Sequence, residues 1–187
     1  MTVPVGRSPH RAAGLYVHFP FCLRKCSYCS FNSKCASPAE RDAYLQALRR
    51  EISHAGVEWG HLVFDTVYFG GGTPTLYSPQ TLGDLLDQIR MAFNLPGDIE
   101  VTVEANPGTV DATGLRYLVS CGVNRLSLGV QSLDDEDLRF LGRLHTGRDA
   151  VAAFNAAKAG GFRNVNVDLI RGLPRHTVDS WRDVVRR

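Results

Sequence analysis

Glu100-Val101-Thr102-Val103-Glu104-Ala105-Asn106-Pro107 is the stretch whose pattern decides the fold. A β-strand sends successive side chains to opposite faces. Glu100, Thr102 and Glu104 therefore share one face, and Val101 and Val103 the other. A parallel strand covered by helices on both sides reads as an unbroken apolar run, so this strand has one polar side. The same alternation recurs in both directions along the chain. Tyr16 and His18 oppose Leu15, Val17 and Phe19; Ser127 and Gly129 oppose Leu126, Leu128 and Val130; Asn164, Asn166 and Asp168 oppose Val165, Val167 and Leu169. The expected strands are 15–19, 65–69, 100–104, 125–129 and 164–170.

Helix-type segments stand between them. Ser37-Pro38-Ala39-Glu40 supplies an N-cap, a proline at the first helical position and a capping-box glutamate before an amphipathic run to Ala55. Ser78-Pro79 opens a helix to about Phe93, and Asp111 to Cys121 a third, with Gly122 past its end. Asp134–Leu141 and Arg148–Ala159 also read as helical, and Val178 starts an amphipathic run. This β–α repeat predicts a parallel sheet with right-handed crossovers. An antiparallel sheet with one wet face is the alternative, which the intervening helices disfavour. A curved sheet around a polar lumen accounts for both periodicities, and reactive groups then belong at the C-terminal strand ends.

The 187 residues suffice for one sizeable domain, with 44% hydrophobic and 21% charged residues. A net charge of +2 with scattered arginines gives no phosphate track, so nucleic acid is not expected as a partner. No stretch approaches the ~20 apolar residues of a membrane span. Residues 1–14 read as a disordered leader rather than a signal or transit peptide. Clustered cysteines without a secretory signal point to a reducing, cytoplasmic setting, with a peripheral seat at the membrane left open. A fifth strand at the sheet edge is a liability, so 15–187 is expected to be a core that continues into further strands and a C-terminal domain.

Chemistry concentrates after the first strand, in Cys22-Leu23-Arg24-Lys25-Cys26-Ser27-Tyr28-Cys29. Three thiolates spaced C-x3-C-x2-C suit a metal or a cluster better than a disulfide. In a [4Fe–4S] cube they leave one iron open. A structural zinc site completed by Cys35 or His18 is the other possibility. Gly70-Gly71-Gly72-Thr73-Pro74 follows the second strand and lets backbone groups approach a ligand; alone it is equally a tight turn. Glu104 is either a ribose-hydroxyl acceptor or a solvated strand-end charge. Gln131, Arg143 and Asp168 each have a surface reading when viewed singly.

In combination these segments resemble a family. Tyr16-Val17-His18-Phe19-Pro20-Phe21-Cys22, the cysteine triplet, Gly70 to Thr75, Val103 to Pro107, Leu128-Gly129-Val130-Gln131-Ser132 and Val167 to Ile170 occur in order. The chain resembles radical S-adenosyl-L-methionine (SAM) proteins over about residues 15–185. Within them it is similar to the oxygen-independent coproporphyrinogen III oxidase group, which includes HemW-type haem chaperones. The resemblance implies the N-terminal part of a partial (β/α)6 barrel, an α/β fold with outer helices and a polar lumen. It also implies that Cys22, Cys26 and Cys29 hold a [4Fe–4S] cluster, whose open iron SAM chelates. Gly71, Gly72 and Thr73 would bind the SAM amino group, and Glu104, Gln131, Arg143 and Asp168 its ribose and carboxylate. Tyr28 would lie near the adenine, and Tyr16 near the cluster. An electron from a reductant would cleave the sulfonium C–S bond to give a 5′-deoxyadenosyl radical.

The two branches differ past the third cysteine. The oxidase usually has a fourth cysteine two residues on; here Cys29-Ser30-Phe31-Asn32 follows the chaperone pattern. The expectation is a chaperone with haem as cargo, delivered to apoproteins such as respiratory apocytochromes. The alternatives are a radical decarboxylase of coproporphyrinogen III and, more remotely, a structural zinc protein. No catalytic residue is assigned. His18 is expected to orient the cysteine loop, and His145 and His176 read as solvated loop histidines with haem contact as their other role. Arg171-Gly172-Leu173-Pro174-Arg175-His176-Thr177 departs from the family's usual Tyr/Ser-Gly-Leu-Pro-Gly-Gln-Thr at its first, fifth and sixth positions.

Overall fold

A computed structural model describes residues 13–186. The leader expected at 1–14 lies outside the described residues except for Ala13 and Gly14, which are already in the first strand. The elements run β1 (Ala13–Phe19), α1 (Pro38–Trp59), β2 (Phe64–Gly71), α2 (Pro79–Ala92), β3 (Glu100–Ala105), α3 (Ala112–Ser120), β4 (Arg125–Gln131), α4 (Asp135–Phe140), α5 (Gly147–Ala159), β5 (Asn164–Leu169) and α6 (Val178–Arg186). A short 3-10 turn, Pro74–Leu76, precedes α2. The five strands form one sheet in the order β1-β2-β3-β4-β5, and every neighbouring pair is parallel. The fold is α/β, the polar-lumen partial barrel expected from strand alternation.

The apolar strand faces carry the core. Phe19, Phe69, Val103, Leu126 and Leu128 are fully buried against Leu85 and Leu86 of α2 and Leu115 of α3. Burying each such side chain contributes about 1.5–3 kcal/mol, an upper range for area bookkeeping. Helices α1 and α2 begin where their serine caps predict. Ser37 closes a capping box with Glu40, whose carboxylate is drawn down to about 2 by Lys34 and by the Ser37 backbone N–H. Thr146 and Asp149 form a second box at α5.

Several boundaries differ from expectation, and the ends of α1 and β2 do so for physical reasons. Helix α1 runs through Gly56 to Trp59 because that glycine packs on α2: a Cβ there would stand 2.7 Å from Ala92 Cβ. Tertiary contact outweighs the roughly 1 kcal/mol cost of glycine within a helix. Strand β2 continues into the glycine run, because Gly70 and Gly71 pair with His18 and Phe19 of β1. Gly70 and Gly71 are thus part of the sheet, and Gly72 follows its end. At the far edge, Val165, Val167 and Leu169 of β5 are half-buried and α6 has no buried residue.

Candidate functional site

The cysteines lie on the β1–α1 loop, which is fastened at its base. Cys22 N–H donates to Lys34 O (3.0 Å) and Lys34 N–H to Pro20 O (2.8 Å). The Lys25 ammonium donates to the Phe31 and Ser33 carbonyls from within the loop. His18 bonds Asn32 O through Nε2 (2.9 Å), so it orients the loop as expected. Cys22, Cys26 and Cys29 are partly buried and line one cavity. Cys35 is exposed, with its thiol on Leu23 O. In a cubane each thiolate takes its own iron, so three thiols around one cavity fit a cluster.

That cavity, about 630 Å³, is the lumen at the C-terminal strand ends. Glu104, at the end of β3, accepts from Tyr68 Oη (2.7 Å) and from Gly71 N–H (2.9 Å). Burial and the hydrogen bond to Glu104 push the Tyr68 phenol well above its ordinary range, so it stays a donor. Gly71 has φ +114°, a left-handed backbone that side chains resist. A Cβ on Gly72 would stand 2.6 Å from Phe21 O and 2.8 Å from Phe19 O. The glycine run therefore lies directly against the start of the cysteine loop.

Arg143 crosses between the walls. Its Nη2 donates to Asn106 Oδ1 and Gly129 O (2.5 Å each), and its Nη1 lies 3.7 Å from Cys26 Sγ. Asn106 Nδ2 in turn donates to Thr73 Oγ1 (2.9 Å), and that hydroxyl faces Cys22 Sγ at 3.8 Å. A guanidinium among future thiolates offsets their charge, as an anionic cluster requires. Arg143 Nε is buried with no hydrogen-bond partner, a donor that a bound anionic or carboxylate group would satisfy. On these observations the residues present fit a cluster with a carboxylate-bearing ligand beside it.

The expected site residues mostly come together. Cys22, Cys26, Cys29, Tyr28, Gly71, Gly72, Glu104, Gln131, Arg143 and Asp168 line the lumen. Burial pushes the Tyr28 phenol up to about 12, although the Arg143 guanidinium pulls the other way. Thr73 is buried beneath the cysteine loop and lines an adjoining cavity of about 320 Å³. Asp168 accepts from Ser127 Oγ (3.1 Å) and Asn166 Nδ2 (2.7 Å). Tyr16 is not among the residues that line this cavity: it is exposed, stacks on the lining Tyr68 and bonds His18 Nδ1 at 3.2 Å.

The two loop histidines correct expectation, because neither is solvated. His145 is buried and bonds Val130 O through Nε2 (3.0 Å), and burial followed by nearby Arg143 lowers its pKa. His176 Nε2 meets Asp137 Oδ2 at 2.7 Å. Tyr68 and Asn106 also line the cavity and bond Glu104 and Thr73, without an assigned role in the sequence reading. Tyr68 was legible as a polar-face residue of β2, and Asn106 as the residue before the proline that ends β3.

Comparison with known proteins places the chain. The model of the radical SAM superfamily matches residues 16–187. The heme chaperone HemW of Haemophilus influenzae is 38% identical over 178 residues, covering 92% of this chain and 46% of that protein. Radical S-adenosyl methionine domain-containing protein 1, mitochondrial, of Bos taurus is 42% identical, covering 90% of this chain and 38% of its own. Among solved structures, coproporphyrinogen III oxidase (HemN) of Escherichia coli superposes with a TM-score of 0.86 at 34% identity. That match covers 97% of this chain and 42% of the oxidase. The chain spans less than half the length of each of these relatives.

Proposed function

Since the chain belongs to the radical SAM superfamily, we propose that it is the SAM-binding core of a HemW-type haem chaperone, which binds haem and hands it to apoproteins. The observation that carries this reading is Phe31. It lies at the mouth of the lumen, 60% exposed, at the place where the oxidase branch has a fourth cysteine. The heme chaperones among the relatives support it at 38–40% identity.

The superfamily's cofactors are a [4Fe–4S] cluster and SAM, which together supply one-electron reductive cleavage of a sulfonium. In this reading Cys22, Cys26 and Cys29 hold the cluster. Gly71, Gly72 and Thr73 receive the SAM amino group, and Glu104, Gln131, Arg143 and Asp168 its ribose and carboxylate. Tyr28 covers the adenine side, and Tyr16 acts from behind Tyr68. Arg143 offers its free Nε to a carboxylate while its two Nη groups hold the lumen walls. The same proposal includes a reductant for the cluster, delivery to respiratory apocytochromes and a cytoplasmic seat peripheral to the membrane. No helix among the described residues is long and apolar enough to cross a bilayer. Residues 15–187 would be followed by a C-terminal domain that handles the cargo.

Decarboxylation of coproporphyrinogen III is the second reading, favoured by the likeness to HemN. The two separate in one experiment: the full protein, purified anaerobically, is offered haem and coproporphyrinogen III in parallel with SAM and a reductant. We expect a stable haem complex and no decarboxylated product. Turnover to protoporphyrinogen would overturn the chaperone reading.

A further inference from the structure

The β5–α6 loop departs from the family's usual Gly-Gln at Arg175 and His176, and both residues are engaged. Arg175 keeps a left-handed backbone (φ +73°) that a side chain resists, and its guanidinium pairs with Glu136 at 3.0 Å. The next residue, His176, bonds Asp137 Oδ2 at 2.7 Å, with both side chains nearly buried. Two successive loop residues thus grip two successive residues of α4. Asp137 Oδ2 also accepts from the buried Ser132 Oγ at 2.8 Å. One carboxylate oxygen therefore joins the loop to the residue that follows Gln131.

Gln131 needs such a hold. It is the other non-glycine residue with positive φ among those described, at +71°, where the β4–β5 register shifts. That conformation is strained and persists only when its surroundings over-determine it. On the strand side, Ile170 N–H donates to Gln131 O (2.8 Å) and Ser132 N–H to Val130 O (2.9 Å). On the helix side the fastening runs through Ser132, Asp137 and His176. Because His176 Nδ1 is buried without a partner, the Asp137 bond is the polar tie that locates its ring.

We propose that His176 is a positioning residue: through Asp137 and Ser132 it fixes the strained Gln131 backbone that points its amide into the SAM lumen. The inference rests on the reading of Gln131 as a SAM contact. Its test uses the full chain, loaded anaerobically with iron and sulfide. SAM dissociation constants come from equilibrium dialysis, and cluster iron is counted in the same samples. His176→Ala and Ser132→Ala should each weaken SAM binding about tenfold, with iron per chain unchanged. His176→Gln, whose amide still donates to Asp137, should bind within about twofold of the parent. The His176→Ala/Ser132→Ala double variant should be no weaker than the worse single one, since both cut one chain of contacts. If His176→Ala binds SAM like the parent while Gln131→Ala does not, the relay is overturned. If Gln131→Ala also binds like the parent, the site reading beneath it falls with it. Failure of His176→Gln to rescue overturns the role of the Asp137 bond. Should His176→Ala not fold, Ser132→Ala alone decides, and parent-like affinity there overturns the proposal.

Discussion

Glu104 holds the end of β2 at two points, taking Tyr68 Oη on one oxygen and Gly71 N–H on the other. A carboxylate so placed still presents negative charge to the lumen, where SAM brings a cationic sulfonium and amino group. Glu104→Gln keeps the shape: its carbonyl accepts from Gly71, and its amide donates to the Tyr68 oxygen. The fold and the iron content should therefore survive, while SAM affinity falls about tenfold or more through loss of a charged acceptor. Equilibrium dialysis against parallel iron counts checks this, and parent-like affinity would remove Glu104 from the site. At this scale the sequence was readable where polarity interrupts an apolar strand, as at Glu104 and Asp168. It was not readable where a side chain acts through its neighbours. Asn106 matters because Arg143 and Thr73 reach it from distant segments, and His145 is buried because Val130 O lies above it.

The glycine run is an element-scale device, in which β2 ends against the loop that carries the thiols. Gly72 N–H donates to Phe19 O at 2.6 Å and Thr73 N–H to Phe21 O at 2.8 Å, so the two segments share a seam of backbone bonds. The atoms a Cβ on Gly72 would meet are backbone atoms, which cannot swing aside. Gly72→Ala should consequently lower stability by about 1–3 kcal/mol, read as a lower urea midpoint. Iron retained after reconstitution should fall with it, because the displaced seam holds Cys22. Unchanged midpoint and iron would show that the seam yields freely. The starts of α1, α2 and α3 were legible because Ser37, Ser78 and Asp111 act as caps by local chemistry, whereas Thr146, the cap of α5, was not singled out. The end of α1 and the bulge at Gln131 were not, since each depends on a partner far along the chain.

Across the whole molecule, sequential parallel pairing brings five strand ends to one side of the sheet. Residues from Cys22 to Asp168 therefore meet in one lumen although they lie far apart in the chain. The alternation of polar and apolar strand residues announced this arrangement, because only a curved sheet lets one face enclose a polar space. What no single strand disclosed was the cross-bracing by Arg143, Asn106 and Asp137, which needs the folded geometry to bring its partners together. In the proposed function the three thiols and the polar lumen form one cluster-and-SAM site. Iron and acid-labile sulfide per chain, counted after anaerobic reconstitution of the full protein and of Cys26→Ala, test it most directly. About four of each are expected for the parent, with loss of the cluster in the variant; bound zinc without sulfide, or a cluster that survives in Cys26→Ala, would overturn this site.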